Sequence, residues 1–420
     1  MDYFKSEYFT YKNDKLFCEN VSLESIAEEV DTPVYVYSKK FFVDRYLEFQ
    51  DAFKSIKHKI FYASKANFNI SVTKLFYSLG AGVDVNSAGE FYKALKAGVS
   101  PEAMLLTGVG KTDEEIKLGL ENNVKLIKAE SLEEIYVIDK IAKELNKITP
   151  LAIRVNPNVD PVTHPYISTG LAENKFGIDE TVALEIFREA SKLSNINLVG
   201  IDMHIGSQIT TVQPYVEAIT KLVNIEQTLL KEGIKLEHID VGGGVGVYYK
   251  DESPFSPKEF ADAILPVLER TDCEIFFEPG RFLTANGGCL ISKVLYTKSN
   301  LDKNFLVVDA SMTDLLRPSI YKAYHHIQPI EKTNNKNIIV DVVGPVCESG
   351  DFLGKNRTIT ECKRDDLIAV MSAGAYGMVM SSNYNARRRP VEVLVDGNKY
   401  KVIRERETFE QLMQSEIIVL

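Results

Sequence analysis

Tryptophan is absent from this chain, and cysteine is scarce at 5 of 420 residues. The five, Cys18, Cys273, Cys289, Cys347 and Cys362, are odd in number, not closely paired and without metal-ligand spacing. That excludes a disulfide-stapled scaffold and a cysteine-held metal; no metal is expected, and a reducing, cytoplasmic setting is predicted. No stretch approaches the roughly 20 apolar residues of a membrane span. The first ten residues alternate charges and aromatics where a signal peptide would carry an apolar core, so neither export nor a membrane partner is expected. Basic patches are missing as well. Lys and Arg total 49 against 59 Asp and Glu, a net charge of −10, and the densest basic run is Arg387-Arg388-Arg389. Nucleic acid is not expected as a partner. What remains is ordinary globular material, 45% hydrophobic and 26% charged, enough for two domains or one large domain with an appendage.

Between residues 59 and 279 short β-branched or aromatic runs alternate with amphipathic helical stretches. The runs are Lys59–Ala63, Gly82–Val85, Met104–Thr107, Lys125–Lys128, Leu151–Val155, Leu198–Met203, His238–Val241 and Glu274–Phe277. Several helices open with a capping-box pattern, as at Ser87 to Glu90, Thr112 to Glu115 and Ser131 to Glu134. After Ser131, Leu132, Ile135, Ile138, Ile141 and Leu145 follow one helical face. Eight strand–helix repeats predict an α/β fold, a (β/α)₈ TIM-like barrel near the typical size of about 250 residues. A doubly wound open sheet shares the alternation and stays open as an alternative.

After Arg281 strand-like runs follow one another without helical spacers: Leu290–Tyr296, Phe305–Val308, Ile338–Val343, Leu367–Met371 and Val391–Val395. Asp396-Gly397 signals a hairpin turn into Tyr400–Ile403. This predicts a barrel over residues 35–281 and a second, mostly β domain from 282–420, to which 1–34 are assigned by elimination.

Polar and glycine-rich segments fall directly after the expected barrel strands, where barrel enzymes keep their active sites. Lys65 follows strand one, Asp84 lies in strand two, Arg154 closes strand five and His204 follows strand six. Gly242-Gly243-Gly244 follows strand seven and Glu278-Pro279-Gly280-Arg281 follows strand eight. Loops after strands seven and eight frequently build a barrel's phosphate site, and glycines let backbone N–H groups crowd an anion. A lysine at a strand end is ordinarily a surface residue. Opposite a phosphate site it supplies what a Schiff-base cofactor requires. His204 reads either as a satisfied core histidine or as a ring stacked on a flat cofactor, with Ser207 near the phosphate.

The segments Tyr62-Ala63-Ser64-Lys65-Ala66-Asn67, His204-Ile205-Gly206-Ser207, Gly242-Gly243-Gly244 and Glu278-Pro279-Gly280-Arg281 resemble those of fold-type III pyridoxal-phosphate-dependent decarboxylases, which are alanine-racemase-like in fold. Gly344-Pro345-Val346-Cys347-Glu348-Ser349-Gly350-Asp351, Ala373-Gly374-Ala375-Tyr376 and Ser382-Asn383-Tyr384-Asn385 extend the resemblance to the diaminopimelate decarboxylase family. It covers roughly residues 30 to 400, and Ile167-Ser168-Thr169-Gly170 and Lys175-Phe176-Gly177 also look familiar.

The resemblance implies a cofactor, pyridoxal 5′-phosphate, and a substrate, meso-diaminopimelate. Lys65 would carry the cofactor, Glu278 would pair with its ring nitrogen, and Gly243, Gly244 and Gly280 would hold its phosphate. Asp84, His204, Ser207, Pro279, Arg281 and Tyr376 complete the expected cofactor contacts. Arg281, Arg317, Tyr321, Glu348 and Tyr376 would bind substrate. Family members are homodimers, so Cys347 and Glu348 would come from the partner chain, with the Cys347 thiol protonating the product carbon. Taken singly, Arg317 could be a turn residue, Tyr321 packing, and Cys347 a small buried apolar group. The polar neighbours Glu348 and Asp351 weigh against an inert Cys347. Related decarboxylases of ornithine, arginine or carboxynorspermidine are the near alternatives; Cys347-Glu348-Ser349, where they are expected to carry a Cys-Asp pair, favours diaminopimelate. A non-catalytic cofactor carrier lacks the second domain, and a racemase on this scaffold needs a second acid–base residue, usually tyrosine, where Cys347 stands.

Overall fold

The computed structural model describes residues 3–161, 169–170, 174–301 and 303–419. Its first unit comprises Arg45–Val247 and Ser253–Phe282. Eight strands run through it: β1 (His58–Ala63), β2 (Gly82–Val85), β3 (Met104–Leu106), β4 (Leu126–Ala129), β5 (Thr149–Asn156), β6 (Ile196–Asp202), β7 (His238–Asp240) and β8 (Glu274–Phe277). Each pairs in parallel with the next, and β8 returns to β1 through Ile275 opposite His58. The sheet is therefore a closed barrel and not an open doubly wound sheet. Observed strand ends lie within two residues of the expected ones.

Closure explains why these strands read as continuous apolar runs: their residues are buried on both faces. Inside, Phe61, Leu105, Leu126, Ala152 and Phe276 form one dry layer. The Phe61 and Phe276 rings pack with centroids 4.9 Å apart. Truncating Phe61 to Ala would cost roughly 3–5 kcal/mol in lost burial and cavity.

Helix starts repeat the sequence logic with one physical correction. At Thr112 the capping box is reciprocal. Ser87 and Ser131 accept the amide three residues on, but the return bonds are missing. Glu90 instead takes the Asn86 amide at 2.8 Å and the Ser64 hydroxyl at 3.0 Å. Glu134 takes the Glu130 amide at 2.6 Å and pairs with Lys111 at 2.8 Å. Both glutamates are drawn off the cap by neighbours at the strand ends, and they tie helix starts to the loops of the barrel mouth.

The second unit comprises Met1–Asp44, Tyr248–Glu252 and Leu283–Leu420. Its main sheet runs Phe352–Thr360, Asn337–Val343, Lys303–Val308, Gly288–Asn300, Val34–Ser38, Val391–Asp396, Lys399–Arg404. Strand Leu367–Val370 joins Gly288–Asn300 to Ile327–Pro329. Phe9–Lys12, Lys15–Cys18 and Val21–Ser22 form a separate antiparallel sheet. The boundary drawn from sequence between residues 34 and 35 falls inside Val34–Ser38. The expected hairpin is present, with Asp396 opposite Lys399 and Gly397 at φ +64°, a conformation glycine adopts without steric cost. A core of Leu16, Leu23, Ile26, Val36, Ile291 and Val393 joins the small sheet to the large one.

Candidate active site

The barrel unit gathers its polar groups at the carboxyl ends of its strands. Lys65 lies in a short 3₁₀ turn after β1, its Nζ 3.7 Å from Asp84 of β2. Asp84 is fully buried, and its Oδ1 has no hydrogen-bond partner among the described residues. An orphaned acceptor beside a half-exposed lysine is an incomplete constellation.

Opposite, Gly242-Gly243-Gly244 follows β7. Its carbonyls all face into the protein: Gly242 accepts from Glu278 N at 2.8 Å, Gly243 from the Tyr215 hydroxyl at 2.8 Å and Gly244 from Ile209 N at 2.9 Å. Two of its amides are used, Gly242 N on Asp240 at 2.8 Å and Gly243 N on His204 Nδ1 at 3.2 Å. The Gly244 amide has no acceptor among the described residues. A Cβ on Gly243 would stand 2.1 Å from the Glu278 carbonyl, so only glycine lets this loop meet the segment after β8. Ser207 accepts from Arg281 Nη2 at 2.8 Å and Nε at 3.2 Å, which leaves its own hydroxyl proton to donate. One amide, one hydroxyl and a guanidinium thus converge where an anion was expected. Pro279 and Gly280 lie against the loop after β1: Ala63 N donates to Pro279 O, and a Cβ on Gly280 would meet Ala66 at 2.9 Å.

His204 accepts at Nδ1, so its proton sits on Nε2. Burial, with the charges of Lys65, Arg154 and Lys128, pulls its pKa well below the usual imidazole range. It is a flat neutral ring at the mouth, suited to stacking on a flat cofactor.

Beneath these groups lies a cluster that sequence reasoning missed. Lys128, the third residue of β4, is fully buried. Its ammonium donates to Asp202 of β6 at 2.7 Å, Asp240 of β7 at 2.6 Å and Glu278 at 2.5 Å. Asp202, Asp240 and Glu278 place oxygens within 4.8 Å of one another, a grouping that could hold a metal, and the ammonium occupies its centre. Burial acts against the lysine's charge, but the surrounding carboxylates outweigh it and raise its pKa well above the usual value. Burial pushes Asp240 up to about 6, with the Lys128 charge opposing and the Asp202 charge adding. Glu278 is raised well above the carboxylate range by burial and by the charges of Asp240 and Asp84. Arg154 extends the network to Glu130 at 3.0 Å, with its guanidinium 4.9 Å from the Phe176 ring. Gly177 N binds the same Glu130 at 3.0 Å, which places the Lys175-Phe176-Gly177 segment. Thr169 bonds the His204 carbonyl at 2.6 Å. Ile167 and Ser168 lie outside the described residues. The missed signal was a charged residue near the end of three otherwise apolar runs: Lys128, Asp202 and Asp240.

The β unit holds the remaining candidates. Arg317 is buried at the start of a short helix, Arg317–Tyr321. Its Nη1 lies 2.9 Å from His325 Nε2, and its guanidinium is 4.6 Å from the Tyr249 ring. His325 Nδ1 meets the Met371 carbonyl at 2.9 Å, so its Nε2 is the acceptor for Arg317. Tyr321 ends the helix, half-buried, before the left-handed Lys322. Asp351 pins the Gly344–Asp351 segment by accepting from Met312 N at 2.6 Å and Val346 N at 2.7 Å. Cys347 and Glu348 are exposed. Asn385 accepts from Cys347 N at 3.0 Å, joining two segments singled out in the sequence. Tyr376 is half-buried with φ +55°, a conformation rare outside glycine.

A parallel barrel with a lysine at one strand end and a glycine-lined anion cradle after strands seven and eight is built for a phosphate-bearing Schiff-base cofactor. The family described as "Pyridoxal-dependent decarboxylase, pyridoxal binding domain" matches residues 40–285. A diaminopimelate decarboxylase of Neisseria meningitidis serogroup A is 47% identical over 405 residues, 96% of this chain and 100% of that one. One from Aquifex aeolicus is 45% identical, covering 97% of each. Among solved structures, diaminopimelate decarboxylase from Helicobacter pylori complexed with L-lysine superposes with TM-score 0.91 at 42% identity, covering 94% of this chain and 98% of that one. The M. jannaschii enzyme in co-complex with L-lysine gives TM-score 0.93 at 36% identity, covering 98% of each. This chain belongs to the pyridoxal-dependent decarboxylases and, within them, to the diaminopimelate decarboxylase family.

Proposed function

We propose that this chain decarboxylates meso-2,6-diaminopimelate to L-lysine and carbon dioxide, the closing reaction of lysine biosynthesis. The observation that carries this reading is the barrel mouth, where Lys65 and Asp84 stand across from the Gly244 amide, the Ser207 hydroxyl and Glu278. These residues fit pyridoxal phosphate, which when bound supplies an electron sink for the carbanion left as carbon dioxide departs.

Lys65 would hold the cofactor through its ε-amine. Gly243, Gly244, Gly280 and Ser207 would hold the phosphate, with Tyr376 adding a contact. Glu278, tied to Lys128 by one oxygen, would meet the ring nitrogen with the other. Neutral His204 would cover the ring face without adding a positive charge to it. Arg281 orients the Ser207 hydroxyl and would lie near the substrate's reacting carboxylate.

Arg317, oriented by His325 and Tyr249, would take the distal carboxylate with Tyr321, and Glu348 the distal ammonium. Cys347 would deliver the proton of its thiol to the α-carbon. In a cytoplasmic homodimer Cys347 and Glu348 would serve the partner's site. No helix among the described residues is long and apolar enough to cross a membrane.

The test is product analysis. Purified protein with pyridoxal phosphate and meso-diaminopimelate should release L-lysine and carbon dioxide in equal amounts. Efficient turnover of ornithine with none of diaminopimelate would overturn the reading.

A further inference from the structure

Three carboxylates around one ammonium, all buried, are an unusual thing for a barrel to keep beneath its mouth. Asp202, Asp240 and Glu278 come from three different strand ends, and Lys128 reaches all of them within 2.7 Å. Fully ionised, these four side chains carry one positive and three negative charges. Removing one member of such a buried set is far more damaging than its exposed equivalent, because the others are left uncompensated.

The geometry of Glu278 makes the arrangement directional. Its Oε1 is held by Lys128 at 2.5 Å. Among the described residues its Oε2 makes no hydrogen bond, yet it is not among the buried polar atoms lacking a partner. So one oxygen is anchored below, and the other is left accessible. Without the ammonium, the neighbouring carboxylates would share protons with Glu278 and draw it sideways into an acid–carboxylate pair.

We propose that Lys128 is a positioning residue for the decarboxylation: it holds Glu278 by one oxygen so that the other is presented to the cofactor's ring nitrogen, and its ammonium, set among the three carboxylates, keeps Glu278 from pairing with Asp240 or Asp202. This rests on the reading of the barrel mouth as a pyridoxal-phosphate site. Lys128 itself touches neither cofactor nor substrate.

The experiment compares the intact chain with Lys128→Met, which removes bond and charge, Lys128→Gln, which can keep a hydrogen bond without the charge, and Lys128→Met/Asp240→Asn, which deletes one charge of each sign. Each is loaded with pyridoxal phosphate labelled with ¹⁵N in the ring. Cofactor affinity, the ring-nitrogen resonance, kcat and KM are measured. In Lys128→Met the resonance should move toward the unprotonated position. Affinity should fall at least tenfold, and kcat should fall at least tenfold with KM within threefold. Lys128→Gln should fall between it and the intact chain. The double variant should recover part of the affinity, and because its charge is balanced it also serves where Lys128→Met does not fold. An unmoved resonance with unchanged affinity and kcat, or a loss confined to melting temperature, would overturn the proposal while leaving the cofactor site intact. A double variant no better than Lys128→Met would overturn the charge argument. An intact chain that binds no cofactor would overturn both this inference and the reading beneath it.

Discussion

The two units present most of their candidate site groups differently, buried Arg317 apart. In the barrel they stand at or just past strand ends and are braced by buried charge: Lys128 among three carboxylates, Arg154 on Glu130, Arg281 on Ser207. In the β unit Cys347 and Glu348 are exposed, on a segment fixed by backbone bonds to Asp351 and Asn385, and Tyr376 sits in left-handed backbone. A cofactor that stays needs groups held once and rigidly. A substrate that enters and leaves needs groups within its reach, which exposed side chains provide.

The sharpest way to break this contrast is at Lys65. Lys65→Ala should lower kcat/KM by roughly 10⁴-fold or more, the scale expected when a covalent-catalysis residue is removed. Borohydride reduction of the intact protein should fix the cofactor to the peptide containing Lys65. Label on any other lysine would sink the assignment.

On the substrate side, Arg317→Ala should reduce kcat/KM for diaminopimelate by about 10²–10³-fold, the cost of stranding a desolvated carboxylate. The absorption spectrum of the bound cofactor should stay as it was. Arg317→Lys should recover only part, since a point charge cannot make a two-bond fork. Normal kinetics in Arg317→Ala would remove it from the site.

Whether the exposed segment serves a neighbouring subunit is testable by mixing. Lys65→Ala and Cys347→Ala proteins, each inactive, should together regain about a quarter of wild-type activity if subunits exchange at random, because half the dimers are mixed and each has one intact site. Exchange with no recovery would place Cys347 and Lys65 in the same chain's site.

The smallest effect concerns stability. Asp314 in the β unit is buried on the Ser311 amide and hydroxyl, and burial, outweighing those bonds and the Arg387 charge, pushes its pKa up to about 6. The folded carboxyl thus binds its proton more tightly than the unfolded one. Its contribution favours folding on the acid side and is lost as pH rises through about 6, a change of up to about 3 kcal/mol. Asp314→Asn should raise the melting temperature at pH 8 and leave it nearly unchanged at pH 4. An equal shift at both pH values would show that the titration of Asp314 is not the cause.

Much of the barrel was legible because its strands are short apolar runs and several helix starts carry a Ser or Thr cap, as at Ser87, Thr112, Ser131 and Ser256. The count of eight repeats pointed to closure; what decides it against an open sheet is the pairing of Ile275 with His58, which leaves no local mark in the sequence. Phe352–Thr360 was missed because Gly354, Lys355, Asn356 and Arg357 interrupt its apolar pattern, and the ladder there is irregular. The lysine, glycine and Glu-Pro-Gly-Arg segments of the site were readable from position and resemblance. Lys128 was not: its partners lie 74, 112 and 150 residues away, and each polar strand end looks alone like a strand simply stopping.

The strand Val34–Ser38 carries a consequence for how the chain is made. It lies between Gly288–Asn300 and Val391–Asp396, both from the last third of the sequence, while nearly all of the barrel is encoded in between. On a ribosome the barrel segment is complete before either neighbour of this strand exists. Pairing over such distances is also slow, because the loop must close before any contact rewards it. Throughout that interval a run of Val, Tyr, Val and Tyr, buried at every residue in the finished protein, has both edges unpaired. The first-made strand of the main sheet is thus the one most exposed to wrong partners while it waits.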